Sequence, residues 1–445
     1  MVKLDPWGAS QVEDYARLRD EFGIGVLDEA AWSRIPDAHP LFTRGVVFGH
    51  RGMDPVLNAI ERGDPFGVMT GLMPSGKMHL GHKAVIDQVV WYQNHGADVH
   101  VAIADFEAYA ARNFTIEQAR KLGIEEYVLT YLALGLKPGK SEVYYQSKRS
   151  RVKDLAYELG LHVNLNQMLA LYGFPDDVKM AKMNAPLMQA ADILHVQRAE
   201  FGGPRPTVVP VGVDQDPHLR LTRDVAGAVR IFNVTQTQDG KIGVFVKPEK
   251  PPRPVKELFD DVGRILRADL GFADLKRNDA YRALYLPAAS LSDVPRIDLA
   301  LAQYESKVLA EHGFFPPAST YHRFMTGLTG EKMSSSRPES SIFITDEPAD
   351  VKKKLMRAKT GGRATEQEQR EKGADPTVCS VYETYLYHVP DAKVLEEVYT
   401  ECTTGKRLCG ECKMQALGLL QTQLKELKEK REAARPLVKE IVSDA

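Results

Sequence analysis

Hydrophobic and polar positions follow two alternating periods from about residue 65 onward. Short apolar runs, such as "GVMTG" at 67–71 and "DVHVAIADF" at 98–106, are typical of buried strands. Between them, "HLGHKAVIDQVVWYQNHG" at 79–96 has the length of a helix that ends at Gly96. Strand–helix–strand units of this length predict a parallel sheet with crossover helices.

This pattern continues past residue 200 and then changes. "TVVPVGVD" at 207–214 is typical of another buried strand, and a helical stretch follows it. A proline-rich break at 247–254 begins a segment that we interpret as a subdomain inserted at about 240–315. After residue 350 the chain is mostly helical, and one face of its charged tail carries three leucines, Leu420, Leu424 and Leu427. We therefore predict an α/β fold with a mostly helical C-terminal domain.

Composition and charge are typical of a globular protein but do not indicate which partner it binds. A chain of 445 residues is long enough for two to four domains, and its 43% hydrophobic and 27% charged content is ordinary for a globular protein. The net charge of −2 gives no overall positive field, although one local patch would suffice for phosphate contacts. The N-terminal stretch has no apolar core typical of a secretory signal, and no apolar run is long enough for a membrane span. We expect a cytoplasmic protein, with no membrane partner and with reduced thiols.

The stretch "TGLMPSGKMHLGHK" at 70–83 is the first candidate for phosphate chemistry, because it follows a strand and opens a helix. A P-loop would need Ser or Thr after Lys77 to hold Mg²⁺, and Met78 stands there instead. His79 and His82 lie three positions apart and share a helix face, and Gly81 leaves room for a nucleotide. Taken alone, the two histidines could also cap the helix or hold a metal.

A second candidate is "GLTGEKMSSSRPESS" at 327–341, which places Lys332 ahead of three consecutive serines. A mobile lysine with neighbouring hydroxyls can close on a leaving pyrophosphate. The same composition also suits a solvated serine-rich loop.

In this order, "HLGH" and "KMSSS" resemble the two signature motifs of class I aminoacyl-tRNA synthetases. The resemblance implies a Rossmann-type catalytic domain that binds ATP and Mg²⁺ and activates an amino acid. It implies catalytic roles for His79, His82, Lys332 and Ser334. It implies ATP contacts from a wider set, namely His79, Gly81, His82, Asp214, Lys332, Met333, Ser334, Ser335 and Ser336.

Two further segments bear on the amino acid. "VGVDQ" at 211–215 resembles the G-x-D-Q segment of tryptophanyl- and tyrosyl-tRNA synthetases, and its continuation "DPHLRLTRD" at 216–224 is similar to the tryptophanyl branch. "RGVVFGHRGMD" at 44–54 resembles the N-terminal extension of the archaeal and eukaryotic-type members of that branch. In "PLMQAADIL", Asp192 matches the acid that accepts the indole N–H in bacterial members. A buried carboxylate facing tryptophan would be left unpaired by phenylalanine, which gives selectivity. The resemblance adds three more tryptophan-binding residues, Glu107, Gln189 and Gln215.

Two positions depart from the family pattern. Ala185 stands where related enzymes usually carry tyrosine, and Met69 replaces the tyrosine typical of eukaryotic-type members. Asp192 could also accept a phenol O–H, so a tyrosyl-tRNA synthetase is the runner-up. The alternative for Asp192 and for Glu107 is a satisfied polar group of the core, and this alternative is stronger for Glu107 than for Asp192.

All four cysteines lie within 34 residues, with the intervals Cys379-x22-Cys402-x6-Cys409-x2-Cys412. Only one pair is tight, so the spacing favours a metal site without deciding between zinc and iron–sulfur. The intervals resemble those of tryptophanyl enzymes that hold a [4Fe–4S] cluster in the anticodon-binding domain, which makes zinc the second choice. Lys406 and Arg407, inside the Cys402–Cys409 loop, would then face the anticodon, or else be ordinary exposed charges.

The expected organisation is an N-terminal extension at 1–65, the catalytic domain at 66–345 with its insertion, and an anticodon-binding domain at 346–445. The expected partners are L-tryptophan, ATP and tRNA(Trp), with a homodimer as the assembly. Two other classes of protein remain open. One is a small-molecule adenylyltransferase with an H-x-G-H site, and the other is a metal-containing RNA-binding protein with a relic synthetase domain.

Overall fold

The computed structural model describes residues 15–443, apart from Pro36, Asn113, Glu311 and Lys332. The strands within these residues are β1 (Gly25–Val26), β2 (Val47–Arg51), β3 (Gly67–Leu72), β4 (Asp98–Ile103), β5 (Ser141–Tyr145), β6 (Thr207–Gly212), β7 (Phe232–Gln236), β8 (Ile242–Val246), β9 (Lys276–Asn278), β10 (Ala283–Leu286), β11 (Ala318–His322) and β12 (Val442–Ser443). 

The α-helices of the first half are α1 (Tyr15–Phe22), α2 (Glu29–Trp32), α3 (Pro40–Thr43), α4 (Asp54–Arg62), α5 (Leu80–Asn94), α6 (Asp105–Arg112), α7 (Ile116–Leu122), α8 (Leu129–Leu134), α9 (Ser150–Leu159), α10 (Leu165–Tyr172), α11 (Met180–His195) and α12 (Asp216–Ala228). Those of the second half are α13 (Val255–Ala268), α14 (Val294–Val308), α15 (Pro348–Met356), α16 (Glu366–Lys372), α17 (Ser380–His388), α18 (Ala392–Thr403), α19 (Cys409–Ala433) and α20 (Val438–Ile441).

The main sheet has the strand order β1-β2-β11-β6-β3-β4-β5-β12. All pairs from β11 to β12 are parallel, whereas β2 pairs antiparallel with β11 and with β1. The parallel part begins in the middle at β3, runs outward through β4 and β5, and then crosses to β6 and β11 on the other side. This is the Rossmann strand order, which confirms the predicted fold class. Its switch point, where ligands bind in such sheets, lies between β3 and β6.

Helices cover both faces of this sheet because its strands are apolar on both sides. Val101 of β4 belongs to a buried cluster with Ile86 and Val89 of α5. The next residue, Ala102, belongs to a second cluster on the opposite face, with Ile193 of α11. The predicted strand at 67–71 and the predicted helix at 79–96 are confirmed, whereas the strand predicted over 98–106 ends at Ile103 and its last two residues, Asp105 and Phe106, begin α6.

The segment between β6 and β11 contains a second, separate sheet. Its four antiparallel strands have the order β7-β8-β10-β9, and α13 and α14 pack on one face. The buried residues of this unit, from Ile231 to Tyr304, form a cluster of their own. An inserted unit of this kind was predicted from the proline-rich break.

After residue 350 the described chain is mainly helical, as predicted, and α19 packs on α8 and α15. Leu420, Leu424 and Leu427 are all buried on one face of α19. Both ends of the described chain join the main sheet, β1 and β2 at one edge and β12 at the other. None of the helices in the described part of the chain combines the length and the apolar character that crossing a bilayer requires.

Candidate functional site

A cavity of about 480 Å³ lies at the carboxyl ends of β3 and β6, at the switch point of the sheet. We call it the main cavity. Its lining includes twelve of the residues predicted from the sequence, namely His79, Gly81, His82, Glu107, Gln189, Asp192, Asp214, Gln215, Met333, Ser334, Ser335 and Ser336. Residues that are up to 257 positions apart in sequence therefore meet in one place.

The two histidines stand at the start of α5, where the backbone N–H groups and the helix dipole favour an anion. Their rings stack with centroids 3.7 Å apart and an interplanar angle of 19°. The backbone N–H of His79 donates to Nδ1 of His82 at 3.3 Å. Gly81 between them has no side chain, and a Cβ there would lie 3.0 Å from the His79 ring. The sequence "HLGH" thus forms a compact pair of imidazoles on the cavity wall.

The serine segment, residues 327–341, lies directly beside this helix start. The residues after the serine segment pair with the residues at the start of α5. The Leu80 N–H donates to the Ile342 carbonyl at 3.1 Å, and the Ile344 N–H donates to the Met78 carbonyl at 2.9 Å. Ser334 and Ser336 share a hydrogen bond of 2.9 Å between their hydroxyls. Lys332, the predicted phosphate-binding lysine, lies outside the described residues.

Asp192 on α11 is a buried carboxyl group in the lining of the main cavity and is only 3% exposed. Its Oδ1 accepts the O–H of Tyr144 at 2.8 Å, and its Oδ2 accepts an N–H of Gln146 at 2.5 Å. Burial raises the pKa of Asp192 to about 7. Each carboxylate oxygen has two lone pairs, so both can accept a further hydrogen bond from a ligand.

The other predicted amino-acid contacts surround Asp192. Burial, together with the charge of Asp192, raises the pKa of the partly exposed Glu107 to about 8. Gln189 lies on α11 and donates from Nε2 to Oε1 of Gln215 at 3.5 Å. Asp214 is buried just after β6. One wall of the main cavity therefore carries carboxyl and amide groups suited to a polar ligand with N–H donors.

Sequence reasoning missed two residues that hold Asp192, namely Tyr144 and Gln146. Both lie in "SEVYYQS" at 141–147, where the tyrosines have the pattern of a buried strand. Neither residue stands in a motif, so nothing in the sequence separated them from ordinary core residues. Only the packing of β5 beside α11 shows their partner.

The two positions that depart from the family pattern lie in different places. Met69 is buried and lines the main cavity. Ala185 lines a second, mostly apolar cavity of about 710 Å³, which we call the outer cavity. Glu107 lines both cavities, and Gln146 lines the outer one.

The four cysteine thiols line one small pocket in the helical C-terminal region, which we call the thiol pocket. Cys379 accepts the N–H of Tyr382 at 3.4 Å, and all four cysteines are free thiols. Burial, with a smaller contribution from neighbouring thiols, raises the pKa of Cys402 to about 11 and that of Cys412 to about 12. Within the described ranges, no three His, Cys, Asp or Glu side chains are grouped closely enough to hold one metal ion. The metal site stays a prediction.

The two basic residues predicted to face an anticodon differ in their surroundings. Lys406 is exposed. The Arg407 side chain is only 12% exposed and donates to Glu401 at 2.7 Å and to Glu397 at 3.1 Å. Its guanidinium group is therefore engaged within the protein.

Comparison with known proteins agrees with this geometry. The family model described as "tRNA synthetases class I (W and Y)" matches residues 61–250 and 298–425, so the gap falls on the inserted unit. The tryptophan–tRNA ligase of Thermoplasma volcanium is 44% identical over 97% of this chain and 98% of its own length. That of Methanosarcina acetivorans is 45% identical over 98% and 97%. The crystal structure of tryptophanyl-tRNA synthetase from Aeropyrum pernix K1 superposes with a TM-score of 0.74 at 39% identity, covering 99% of this chain and 100% of that one. This chain therefore belongs to the tryptophan–tRNA ligases of the class I tRNA synthetase family.

Proposed function

We propose that the main cavity activates L-tryptophan with ATP and then transfers the tryptophanyl group to tRNA(Trp). In the first step a tryptophan carboxylate oxygen attacks the α-phosphorus of ATP, the bond to the bridging oxygen breaks, and pyrophosphate leaves. The observation that carries this proposal is the meeting of both signature segments with Asp192, Gln189 and Gln215 in one cavity.

Recognition of tryptophan is assigned to the wall around Asp192. Its carboxylate would accept the indole N–H, and its two existing hydrogen bonds hold it in place for that contact. Glu107, Gln189 and Gln215 would bind the amino and carboxyl groups of the substrate. Phenylalanine lacks an N–H donor, so binding it would bury the carboxylate without its partner.

Recognition of ATP is assigned to the wall formed by the two signature segments. His79 and His82 would donate to phosphate oxygens at the positive end of α5, and Asp214 would bind the ribose. The hydroxyls of Ser334, Ser335 and Ser336, the backbone at Met333 and the ammonium group of Lys332 would stabilise the charge on the leaving pyrophosphate. Mg²⁺, when bound to ATP, would share the phosphate charge.

The test is tryptophan-dependent exchange of pyrophosphate into ATP. Exchange is expected with tryptophan alone among the twenty amino acids, and Lys332→Ala should lose it while the melting temperature stays unchanged. Unchanged exchange in this variant would contradict the assignment of the serine segment.

Tyrosine is the second candidate substrate, because Asp192 could accept a phenol O–H instead of an indole N–H. Exchange with tyrosine and none with tryptophan would establish that alternative. Exchange with neither, but adenylyl transfer to another small molecule, would favour the adenylyltransferase. Tight RNA binding without any exchange would favour the relic synthetase domain.

We further propose that the thiol pocket holds a [4Fe–4S] cluster, with zinc as the second choice. Support comes from the convergence of all four thiols on one pocket. A metal centre would supply the positive charge that lets neighbouring thiols ionise together. Iron and acid-labile sulfide, measured after anaerobic purification, should be present in the parent and absent from Cys412→Ser. Zinc in the parent would overturn the choice of cluster.

The helical region at 346–445 is proposed to bind the anticodon next to this pocket, with the exposed Lys406 as a contact. The ion pairs of Arg407 assign that residue to support of the cysteine loop. Lys406→Glu should raise the KM for tRNA(Trp) several-fold and leave exchange unchanged. Lys428→Glu, an exposed lysine farther along α19, is the matched control.

A homodimer in the cytoplasm is the proposed assembly. Support comes from large apolar side chains that are strongly exposed around α9, α10 and the start of α11, namely Tyr157 (85%), Leu161 (84%), Leu165 (55%) and Met180 (74%). Large apolar side chains left exposed on successive helices are a feature of protein interfaces. Tyr157→Glu should yield monomers in sedimentation, whereas Tyr281→Glu, at an equally apolar exposed site of the inserted unit, should not.

A further inference from the structure

Arg149 is a buried cation beside the proposed tryptophan site, at the end of the turn between β5 and α9. Its guanidinium carbon lies 4.3 Å from the centroid of the Tyr144 ring. The hydroxyl of the same tyrosine donates to Asp192. The phenolic oxygen is bonded rigidly to the ring, and Tyr144 is fully buried, so neighbouring side chains restrict both. A contact at the ring face of Tyr144 is therefore transmitted to the Asp192 carboxylate.

Two further partners fix the Arg149 guanidinium. Its Nη2 donates to Oε1 of Glu142 at 2.6 Å and to Oγ of Ser443 at 2.7 Å. Ser443 belongs to β12, where it stands in register with Tyr144. Glu142 is itself held by Nδ1 of His100 at 3.1 Å. The cation thus lies between the Tyr144 ring and a strand that follows α19 and α20.

We propose that Arg149 is a positioning residue for tryptophan recognition. Held by Glu142 and Ser443, it fixes Tyr144, and Tyr144 fixes the Asp192 carboxylate against the indole N–H. Through Ser443, the contact also joins the C-terminal helical region to the amino-acid site. This inference rests on the proposed role of Asp192.

The chemistry of the contact supports a role beyond packing. A cation over the face of a phenol ring draws electron density from the hydroxyl, which makes that hydroxyl a stronger donor to the carboxylate. The positive charge of Arg149 also favours the ionised form of Asp192 and opposes the effect of burial on its pKa.

The other groups that face Asp192 come from three elements. Tyr144 and Gln146 lie on and just after β5, Glu107 and Asp105 lie on α6, and His195 lies on the same helix, α11. Acidic groups on α6 disfavour ionisation of Asp192, which increases the importance of a nearby cation. Loss of Arg149 should therefore raise the pH below which tryptophan binding weakens.

The test compares KM for tryptophan and for ATP in pyrophosphate exchange, from pH 6 to 9. Arg149→Met should raise the KM for tryptophan about tenfold and leave kcat and the KM for ATP within about twofold. Arg149→Lys keeps the charge but loses the planar guanidinium group. Its KM for tryptophan should therefore lie between the values of the parent and of Arg149→Met. Arg151→Met is the matched control, because Arg151 lies two residues further on and is exposed.

Two more variants separate positioning from general stability. Ser443→Ala should raise the KM for tryptophan by about twofold, because Glu142 still holds the guanidinium. Arg149→Met and Tyr144→Phe should act through the same hydroxyl. In the double variant, the loss of tryptophan-binding free energy should therefore be much smaller than the sum of the losses in the two single variants. Additive effects, or an equal rise of both KM values in a folded Arg149→Met protein, would overturn the inference.

Asp192→Asn distinguishes failure of this inference from failure of the proposed function. If Asp192→Asn leaves the KM for tryptophan unchanged, the assigned role of Asp192 is wrong. If Asp192→Asn raises it while Arg149→Met does not, only the inference about Arg149 is wrong. Where Arg149→Met does not fold, Ser443→Ala and Arg149→Lys provide the same comparison.

Discussion

The hydroxyl of Ser335 donates a hydrogen bond to the backbone carbonyl of Lys77 at 2.9 Å, across 258 positions of sequence. This contact joins the serine segment to the turn that precedes α5. The adjacent Gly76 has a φ of 156°, and a Cβ built there would lie 3.0 Å from the Cβ of Ser335. The two signature segments can therefore approach this closely because residue 76 is glycine.

Gly76→Ala should separate the two segments and slow activation of tryptophan. The added methyl group meets Ser335 and strains the backbone at a positive φ. We expect at least a tenfold loss of kcat in tryptophan-dependent exchange, with the KM for tryptophan nearly unchanged, because Asp192 lies on another wall.

The control for this change is Gly418→Ala, at an exposed glycine of α19 where nothing lies within 4 Å of the added Cβ. Alanine should stabilise that helix slightly and leave exchange unchanged. Full activity of Gly76→Ala would show that close contact of the two segments is not needed for catalysis.

Asp192→Asn should weaken tryptophan binding without weakening the fold. Burial holds the pKa of Asp192 near 7, well above its usual range. Because the unfolded chain ionises at lower pH, this group costs stability as the pH rises from about 4 toward 7, and asparagine removes that cost. The amide cannot carry the charge that strengthens acceptance of the indole N–H.

Two measurements check this prediction. Exchange kinetics at pH 8 should show the KM for tryptophan raised at least tenfold, and thermal unfolding at pH 8 should show a melting temperature no lower than that of the parent. In the parent, tryptophan binding should weaken as the pH falls below about 7, and this dependence should vanish in Asp192→Asn. A large fall in melting temperature would mean that Asp192 is a structural group of the core.

The sequence pattern was sufficient to predict the strands and helices at the centre of the fold and to locate the two signature segments. The buried strand at 67–71 and the helix at 79–96 have unmistakable periods, and a parallel sheet with crossover helices follows from them. Once the sheet forms, the carboxyl ends of β3 and β6 lie at the same edge of the sheet and border one cavity, which is lined by His79 and Asp214. The motif-based site residues met there because the topology brings their strand ends together.

The sequence could not show contacts that depend on tertiary pairing alone. The strand β12 spans only Val442–Ser443, too short to leave any periodic pattern. Tyr144, Gln146 and Arg149 stand in no motif, and their roles become visible only when β5, α11 and β12 are placed side by side. The spacing of the cysteines predicted convergence of the four thiols, but the number of residues between them does not fix sulfur geometry.

The buried ion pair between Arg230 and Glu305 should be important for attachment of the inserted unit. Arg230 donates to Glu305 at 2.8 Å, and the same carboxylate accepts the backbone N–H of Ile231 at 2.9 Å. Both side chains are almost fully buried. Glu305→Ala would leave Arg230 with Asp298 as its remaining acidic partner, at 3.1 Å, and the Ile231 N–H without its acceptor, at a cost of about 3 kcal/mol.

Urea unfolding should show this loss, with a smaller loss for Glu305→Gln, which keeps an acceptor oxygen. The control is Glu249→Ala, at an exposed carboxylate of the same unit. If Glu305→Ala costs less than about 1 kcal/mol, water or another acceptor must replace the carboxylate.

Glu383 should set the position of the serine segment from the helical C-terminal region. Its carboxylate on α17 accepts the backbone N–H of Thr326 at 2.9 Å, one residue before that segment begins. Ser380 on the same helix donates from Oγ to the Gly327 carbonyl at 3.0 Å. Cys379, which lines the thiol pocket, is the N-cap of α17. The same short helix therefore contacts both the thiol pocket and the serine segment.

Glu383→Ala removes the acceptor of the Thr326 N–H, directly before the serine segment. Exchange should show a raised KM for ATP and a kcat lowered about five- to tenfold, whereas the KM for tryptophan should stay constant. Glu383→Gln keeps an oxygen that can accept from Thr326 and should restore most of the rate. A uniform loss of activity in both variants, at an unchanged melting temperature, would show instead that the negative charge of Glu383 is what the segment needs.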